Sequence, residues 1–181
     1  MYGATIMAPT YPRDATLKRK DYVPTTEDVS AVFYYDEDMG ALFRHDTGVL
    51  ARTPHFRGYW QVSFDCRTHL EHRLIWVLVN GVIPDGYTID HKNGDRKNNR
   101  IENLRLATRE EQLRNIPPHK DNKTGLKGVM KSNNLKKVSY FATIRVNKKN
   151  LYLGRYATPE EAHAAYCEAA HKHFGEFART K

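Results

Sequence analysis

The spacing of hydrophobic residues changes several times along the chain and predicts short strands between helices. Residues 1 to about 28 have no hydrophobic period and mix Pro, Thr and charge, which is typical of a mobile arm or a solvated tail. From Ala31 onward short β-rich runs follow, and Trp60, Val62 and Phe64 alternate onto one face. We expect an antiparallel meander with strands at Ala31–Tyr35, Ala41–His45 and Gly58–Phe64.

The next segment predicts a buried helix and then a strand, loop, strand and helix in succession. Apolar residues at helical spacing predict a helix over Leu70–Asn80 that stops at Gly81. A capping Thr108 with Glu111 three residues later marks the start of the second helix, and Pro117-Pro118 prevents its continuation. The predicted bounds are Tyr87–Asp90 and Leu104–Ala107 for the strands, Lys92–Arg100 for the loop and Arg109–Asn115 for the helix.

The last third of the chain predicts a three-stranded antiparallel sheet packed on one helix. In Tyr140–Val146, alternate residues place Ala142 and Ile144 on one face and Thr143 and Arg145 on the other. Small residues on the helix would allow it to approach the first of these faces closely. The predicted elements are strands Lys127–Lys131, Tyr140–Val146 and Leu151–Tyr156 and helix Pro159–Phe174. The fold class is therefore α+β.

The distribution of charge separates this last third from the rest. Residues 1–121 carry 17 cationic and 17 anionic side chains, whereas residues 122–181 carry 12 and 4. Clustered cations favour an anionic partner such as a nucleic acid backbone. We therefore expect an N-terminal arm at residues 1–30, a first domain at 31–116, a linker at 117–122 and a basic domain at 123–181.

Hydropathy and cysteine content exclude other classes of protein. No apolar run is long enough to span a bilayer and no apolar signal core precedes the polar N-terminal stretch, so we expect an intracellular, cytoplasmic protein with no membrane partner. Cys66 and Cys167 lie in no CxxC pair, which argues against a disulfide framework and a structural zinc site. Any metal must then be held by oxygen and nitrogen.

The strand–loop–strand–helix unit is the best candidate for chemistry. It can bring the end of a strand, at Asp90-His91, close to the first turn of a helix, at Gln112. Asp90 and Gln112 offer the oxygen ligands that suit Mg²⁺ or Mn²⁺. His91 points to the other side of the strand, where a neutral imidazole could take a proton from an attacking water.

A longer motif gives these residues more weight than an Asp-His pair has alone. The stretches that carry it are His72-Arg73-Leu74, Ile89 to Asp95, Asn98 to Arg105, and Ala107-Thr108, ending at Asn115. Together they closely resemble the HNH endonucleases of the homing type. The resemblance spans about 85 residues, since the upstream meander with Tyr35-Asp36 and Gly58-Tyr59 also resembles the N-terminal part of those proteins.

The resemblance implies a role for each matching residue. His91 would be the general base, Asp90 a metal ligand, and Asn103 the middle residue of the motif, whose amide ties the loop together. At the third position the family carries Asn or His, whereas this chain has Gln112. His72 and Arg73 also match, either as phosphate-binding residues near DNA or as part of the packing of the helix.

The basic domain resembles a different family. Lys127-Gly128-Val129, Ala142 to Arg145, Tyr152 to Tyr156, Thr158 to Ala162 and Ala165-Tyr166 are similar to the APETALA2/ethylene-response-factor DNA-binding domain over nearly its full length. That resemblance places Lys127, Gly128, Arg145 and Tyr152 at the DNA. Met130 and Asn150 stand where plant members carry arginine.

Two other groups of residues have simpler explanations. Lys136-Lys137 and Lys148-Lys149 are either solvated turns or phosphate contacts. His163, His171 and His173 do not indicate a metal site, because their spacing spreads them along and around the helix.

The sequence thus predicts a homing-type DNA endonuclease. It would use Mg²⁺ or Mn²⁺ to hydrolyse a phosphodiester in double-stranded DNA, leaving 3′-hydroxyl and 5′-phosphate ends, with no small-molecule cofactor. A DNA-binding regulator that keeps the fold without turnover is the alternative. RNA binding is weaker, because exposed aromatic platforms for single-stranded bases are lacking in the pattern.

Overall fold

The computed structural model describes residues 24–118, 121–132 and 138–180. Within these ranges the chain is α+β, as predicted, with small antiparallel sheets and short helices. It divides by contacts into two compact units. The first holds the described residues up to Asp85 together with Asp95–Leu106, and the second holds Gly86–Gly94 together with the described residues from Ala107 onward. The strand that carries Asp90 therefore groups with the basic segment, a division that differs from the predicted domain boundaries.

The described chain begins with a short helix, α1, at Thr26–Ser30. Thr25 caps it by accepting from the backbone N–H of Asp28, and Val29 is fully buried. The hydroxyl of Thr26 donates to the carbonyl of Val77. Residues 26–30 of the predicted arm are therefore anchored by burial of one apolar side chain. Residues 1–23 of that arm lie outside the described residues.

Two small sheets replace the predicted single meander in the first unit. The strands are β1 (Phe33–Asp36), β2 (Ala41–Arg44), β3 (Arg52–Pro54), β4 (Trp60–Phe64) and β5 (Arg67–Leu70). β1 pairs with β2, and β3, β4 and β5 form a separate antiparallel sheet. Helix α2 follows at Glu71–Asn80 and ends before Gly81, as predicted. The buried apolar side chains that join these elements include Phe33, Leu42, Val62, Leu74 and Ile75.

A buried carboxylate connects three parts of the first unit. Glu71 is fully buried. Its Oε1 accepts from the backbone N–H of Leu42 at 3.0 Å, and its Oε2 accepts from Nδ2 of Asn99 at 2.8 Å. Burial raises the pKa of Glu71, while these hydrogen bonds and Arg52, whose guanidinium is 3.6 Å away, act in the opposite direction. Glu71 thereby attaches the polar loop at Asn99 to α2 and β2.

The strand–strand–helix unit forms close to its predicted bounds. It consists of β6 (Tyr87–His91), a 3₁₀ turn (Ile101–Asn103), β7 (Leu104–Thr108) and α3 (Arg109–Arg114). β6 and β7 form a two-stranded sheet. Thr108 and Glu111 form the predicted capping box at the start of α3. This arrangement fixes the direction in which α3 leaves the sheet.

The basic segment has the predicted sheet-and-helix architecture. Its elements are β8 (Val129–Lys131), β9 (Tyr140–Val146), β10 (Lys149–Tyr156), α4 (Pro159–Phe174) and a final 3₁₀ turn (Gly175–Phe177). The strand order is β10-β9-β8, all antiparallel. Ala142 and Ile144 are buried with Ala162 and Tyr166 of α4, and Arg145 is exposed on the opposite face of the sheet. No helix in the described ranges is long and apolar enough to cross a membrane.

Candidate functional site

The end of strand β6 presents two neighbouring polar residues to different surroundings. Burial alternates along the strand, so that Ile89 and His91 are buried, whereas Thr88 and Asp90 are partly exposed. The hydroxyl of Thr88 donates to the carbonyl of Ala107 at 3.1 Å and so attaches β6 to β7. His91 is 4% exposed. The Asp90 carboxylate is thus accessible while the His91 ring is almost enclosed.

Asn115, the residue directly after α3, holds both members of this pair. Its Nδ2 donates to Oδ2 of Asp90 at 2.9 Å and to the backbone carbonyl of His91 at 2.8 Å. Because both partners are acceptors, the nitrogen end of the Asn115 amide must face them. Asn115 is itself 8% exposed. One buried amide therefore fixes the carboxylate of Asp90 and the main chain of His91 together.

Gln112, predicted as a metal ligand, lies one turn earlier on α3 and is oriented toward the same strand. Its Nε2 donates to the carbonyl of Ile89 at 3.4 Å. With the nitrogen engaged by a carbonyl, Oε1 is the atom left to bind a cation. The structure therefore brings Asp90, His91 and Asn115 into direct contact, and it places Gln112 against the strand that carries them.

Sequence reasoning missed Asn115 as a site residue, although its position carried a signal. Residues 112 and 115 are three apart, so both face the same neighbour on a helix. The sequence motif assigns its third position to the first of them, Gln112. A polar residue at the end of a short helix that faces a strand was the sign that could have identified the second.

The predicted middle residue of the motif, Asn103, lies in the first unit and closes the polar loop. Its Nδ2 donates to the carbonyl of Asn98 at 2.8 Å, and its side chain is buried. The same loop is held elsewhere by Arg100, whose guanidinium donates to the carbonyl of Asp38, and by the N–H of Ile101, which donates to the hydroxyl of Tyr35. The polar stretch around Asn98–Asn103 is thus a folded element with a defined set of hydrogen bonds.

His72 and Arg73 on α2 have different surroundings. His72 is 4% exposed and its ring lies 5.3 Å from that of Tyr59. Arg73 is partly exposed and lines a cavity together with Arg67 and His69. Burial lowers the pKa of His69. The packing explanation fits His72, and a DNA contact by Arg73 stays a prediction.

Of the residues predicted at the DNA, two have well-defined internal contacts. Nζ of Lys127 donates to the carbonyls of Arg114 at 2.5 Å and Ile116 at 2.8 Å. Burial lowers the pKa of Lys127 to about 8, and Arg179 adds to this effect. Gly128 has φ +77°, and a Cβ at this position would collide with the ring of Tyr166. Both residues therefore have internal contacts, and their contact with DNA stays a prediction.

The other two predicted DNA contacts lie on the open face of the sheet. Arg145 is exposed on β9, opposite Asn150 of β10. Tyr152 is 64% exposed and lies opposite Thr143. Lys148 and Lys149 are exposed at the turn between these strands, whereas Lys136-Lys137 lie outside the described residues. These side chains are free of the core, as a nucleic acid contact requires.

The donor set near Asp90 is compatible with a hard divalent cation. Among the described residues, no three His, Cys, Asp or Glu side chains cluster closely enough to hold a metal ion. Mg²⁺ does not need such a cluster, because it usually retains several waters and is bound by one or two carboxylates plus substrate phosphates. The partly exposed Asp90 carboxylate meets that requirement. His163 of α4 does not, because both of its ring nitrogens lie next to backbone carbonyls, those of Lys127 and Thr180.

Comparisons with known proteins match part of the chain to HNH endonucleases. Residues 69–114 match the family model described as HNH endonuclease. Protein 3.8 of Escherichia phage T7 is 45% identical over 73 residues, which cover 40% of this chain and 58% of that protein. An uncharacterised HNH endonuclease of Acanthamoeba polyphaga mimivirus is 32% identical over 120 residues, covering 66% of this chain and 60% of the relative. The chain thus spans about three fifths of the length of these relatives.

A search of solved structures also matched one structure to half of the chain. It is titled as DNA binding and cleavage by the HNH homing endonuclease I-HmuI, and it overlaps with a TM-score of 0.42 and 20% identity over 50% of this chain and 54% of that one. The family match itself includes Asp90, His91, Asn103 and Gln112 and ends at the residue before Asn115. The Asp90-His91 pair therefore lies inside the stretch that matches the HNH endonuclease model.

Proposed function

We propose that this protein is a metal-dependent DNA endonuclease of the homing type that hydrolyses phosphodiester bonds. The observation that carries the proposal is the Asn115 amide, which holds the Asp90 carboxylate and the His91 main chain together at the end of a strand in an HNH domain. A surface Asp-His pair without function would not need a buried amide to orient it. Preorganised polar groups of this kind are what a hydrolytic site requires.

The chain's own residues divide the chemistry between them. Asp90, held by Asn115 and partly exposed, would bind Mg²⁺ or Mn²⁺ together with Oε1 of Gln112. When bound, the cation would stabilise the charge that develops on the scissile phosphate. His91 would accept the proton of the attacking water, and its near-complete burial would shield the ring from bulk solvent. The expected products are 3′-hydroxyl and 5′-phosphate ends.

The basic segment would bind the DNA and position it for cleavage. The proposed domain at residues 123–181 would lay the open face of its sheet, with Arg145 and Tyr152, against double-stranded DNA. Support comes from a three-stranded sheet covered by a helix on one side only, and from the excess of cations in this part of the chain. Its likeness in sequence to the APETALA2/ethylene-response-factor domain is consistent with this architecture.

Plasmid cleavage tests the proposal directly. Supercoiled plasmid is incubated with the full chain and Mg²⁺, with and without EDTA, and the same assay is run on His91→Ala. His45→Ala is the matched control, because His45 is exposed in the first unit. We expect nicking or linearisation by the wild type and by His45→Ala, and loss of cleavage with EDTA or His91→Ala. Binding without cleavage under every metal condition would overturn the proposal.

The second candidate function is a DNA-binding regulator without turnover. It is favoured by the donor set, since no metal-binding cluster of His, Cys, Asp or Glu side chains occurs among the described residues, and the Asn115 and Gln112 nitrogens face protein acceptors. If the wild type shifts DNA in a gel but leaves plasmid intact with Mg²⁺ or Mn²⁺, this function replaces the first.

A further inference from the structure

The carboxyl end of α3 is capped by a lysine that follows Arg114 by 13 residues in the chain. The last carbonyls of a helix have no partner within the helix, and the helix dipole makes them attractive to cations. Nζ of Lys127 donates to two of the carbonyls in this region, those of Arg114 and Ile116. Lys127 precedes β8 and belongs to the basic segment.

Arg179, close to the end of the chain, binds the carbonyl between those two. Its Nη1 donates to the carbonyl of Asn115 at 3.2 Å. Its guanidinium also lies against Gly94, which has φ +75° and where a Cβ would collide with that group. Gly94 follows His91 by three residues, and its N–H donates to the His91 carbonyl. Arg179 therefore contacts both the end of α3 and the turn that follows Asp90-His91.

A single histidine on α4 lies against the main chain next to both cationic residues. His163 places Nδ1 3.1 Å from the carbonyl of Lys127 and Nε2 2.9 Å from the carbonyl of Thr180, the neighbour of Arg179. The guanidinium of Arg114 also lies over the ring of Phe174 on α4 at 4.8 Å. The main chain around Lys127 and Arg179 is thus attached to the helix of the basic segment.

We propose that Lys127 and Arg179 are positioning residues for the nuclease site, and that they act by fixing the three carbonyls of residues 114–116 and so the orientation of the Asn115 side chain. The proposal rests on the proposed function for its catalytic readout. Asn115 lies just outside the helix, so the ladder of helical hydrogen bonds does not hold its carbonyl. With Lys127 and Arg179 in place, the peptide groups on both sides of Asn115 cannot rotate without breaking a charge-assisted hydrogen bond. Its Nδ2 then stays on Asp90 and on the His91 carbonyl.

This assignment makes the basic segment part of the catalytic machinery as well as a DNA-binding unit. A lysine that only contacts phosphate would affect DNA affinity and its salt dependence. A positioning lysine would affect the rate at saturating DNA and leave the affinity unchanged. The two roles are therefore separable by experiment.

The test uses the full chain and three substitutions. Lys127→Met and Arg179→Met remove the donors, and Lys131→Met is the control, because Lys131 is an exposed cation of the same segment. Single-turnover cleavage is measured at saturating DNA, and DNA affinity is measured in EDTA. We expect Lys127→Met and Arg179→Met to lose between about tenfold and about 100-fold in rate, with affinity within about twofold of wild type. Arg179→Lys, which keeps a donor, should recover part of the rate.

A second readout does not depend on cleavage. In ¹⁵N-labelled protein the side-chain amide signal of Asn115 is identified by its absence in Asn115→Ala. We expect this signal to shift in Lys127→Met and Arg179→Met and to stay in place in Lys131→Met. If the wild type cuts no DNA, the proposed function fails, and the amide signal alone then decides the positioning role. An unmoved signal, or a Lys127→Met variant that loses DNA affinity while keeping the wild-type rate at saturating DNA, overturns it.

Discussion

The side-chain amide of Asn115 donates to a carboxylate oxygen of Asp90 across 2.9 Å, Nδ2 to Oδ2. The contact joins the first residue after α3 to the end of β6, residues 25 positions apart in the chain. It restricts the rotation of Asp90 in a way that neither the strand nor the helix could do alone. Substitutions of Asn115 or Asp90 should therefore change cleavage or metal binding.

Replacing Asn115 by aspartate should abolish most of the cleavage. Asn115→Asp removes the donor to Asp90 and to the His91 carbonyl and places a second negative charge against the first. Misplacing a reacting group by about 1 Å can reduce a rate about 100-fold, and we expect a loss of at least that size in single-turnover cleavage. Asn80→Asp, an equal change of charge at the exposed end of α2, should cleave as the wild type does. Equal rates for the two variants would contradict the role given to Asn115.

The two site residues on or next to α3 should differ in their effect on metal binding. Gln112→Leu removes the oxygen proposed as a second ligand, whereas Asp90→Asn removes the proposed carboxylate ligand. We expect Asp90→Asn to abolish Mn²⁺ binding, measured by electron paramagnetic resonance, and Gln112→Leu to weaken it by about tenfold or more. If Gln112→Leu binds Mn²⁺ as tightly as the wild type does, Gln112 is not a metal ligand. Its side chain would then serve only to donate a hydrogen bond to the carbonyl of Ile89.

These residues also mark how far sequence reasoning can go. The strands and helices with regular alternation or capping signals, such as β9 and α3, were predicted within about two residues. β3 and β5 were missed because strands of three or four residues contain too few positions to establish a period. Asp90 and His91 were identifiable because they are adjacent, whereas Asn115 acquires its partner only because the end of α3 lies against β6. The hydrogen bonds from Lys127 to the carbonyls of Arg114 and Ile116 could not be predicted either, since no local sequence pattern connects these residues.

Glu71 should give the unfolding free energy a specific dependence on pH. Its pKa is raised in the folded state, so the folded protein binds this proton more tightly than the unfolded chain does. The resulting stabilisation is present below the unfolded pKa, about 4.3 for glutamate, and is lost as pH rises through the folded pKa. The Glu71→Gln variant lacks this pH-dependent contribution. Its amide nitrogen also replaces one of the two oxygens that accept from Leu42 N–H and Asn99, and the hydrogen bond lost in this way costs about 1–3 kcal/mol of stability.

Urea unfolding at a series of pH values from 4 upward, about the unfolded pKa, checks this. The advantage of wild type over Glu71→Gln should shrink as pH rises through that window. Glu37→Gln is the control, because Glu37 is exposed in the same unit. A constant difference between wild type and Glu71→Gln would show that the folded pKa of Glu71 is unchanged.

Gly128 should be required for stability whether or not it lies near DNA. Gly128→Ala forces a left-handed backbone on an L-residue, which costs about 1–2 kcal/mol, and pushes a methyl group into the ring of Tyr166, which adds about 1–3 kcal/mol. Gly125→Ala is a matched control, since Gly125 has φ +68° and open space around its Cα. Urea unfolding should therefore show a clearly larger loss at Gly128. If the two variants lose the same unfolding free energy, the ring of Tyr166 moves away from the added methyl group at no energetic cost.

The open face of the sheet should carry the salt-dependent part of DNA binding. Arg145 is exposed on that face, and each phosphate contact contributes about one unit to the slope of log affinity against log salt concentration. Arg145→Gln should reduce the slope by about one, and Tyr152→Ala should weaken binding with little change in slope. Lys172→Gln removes the same charge from α4, which covers the other face of the sheet, and should leave the slope unchanged. If Lys172→Gln and Arg145→Gln reduce the slope equally, the attraction is a property of net charge, and the sheet face is not the binding surface.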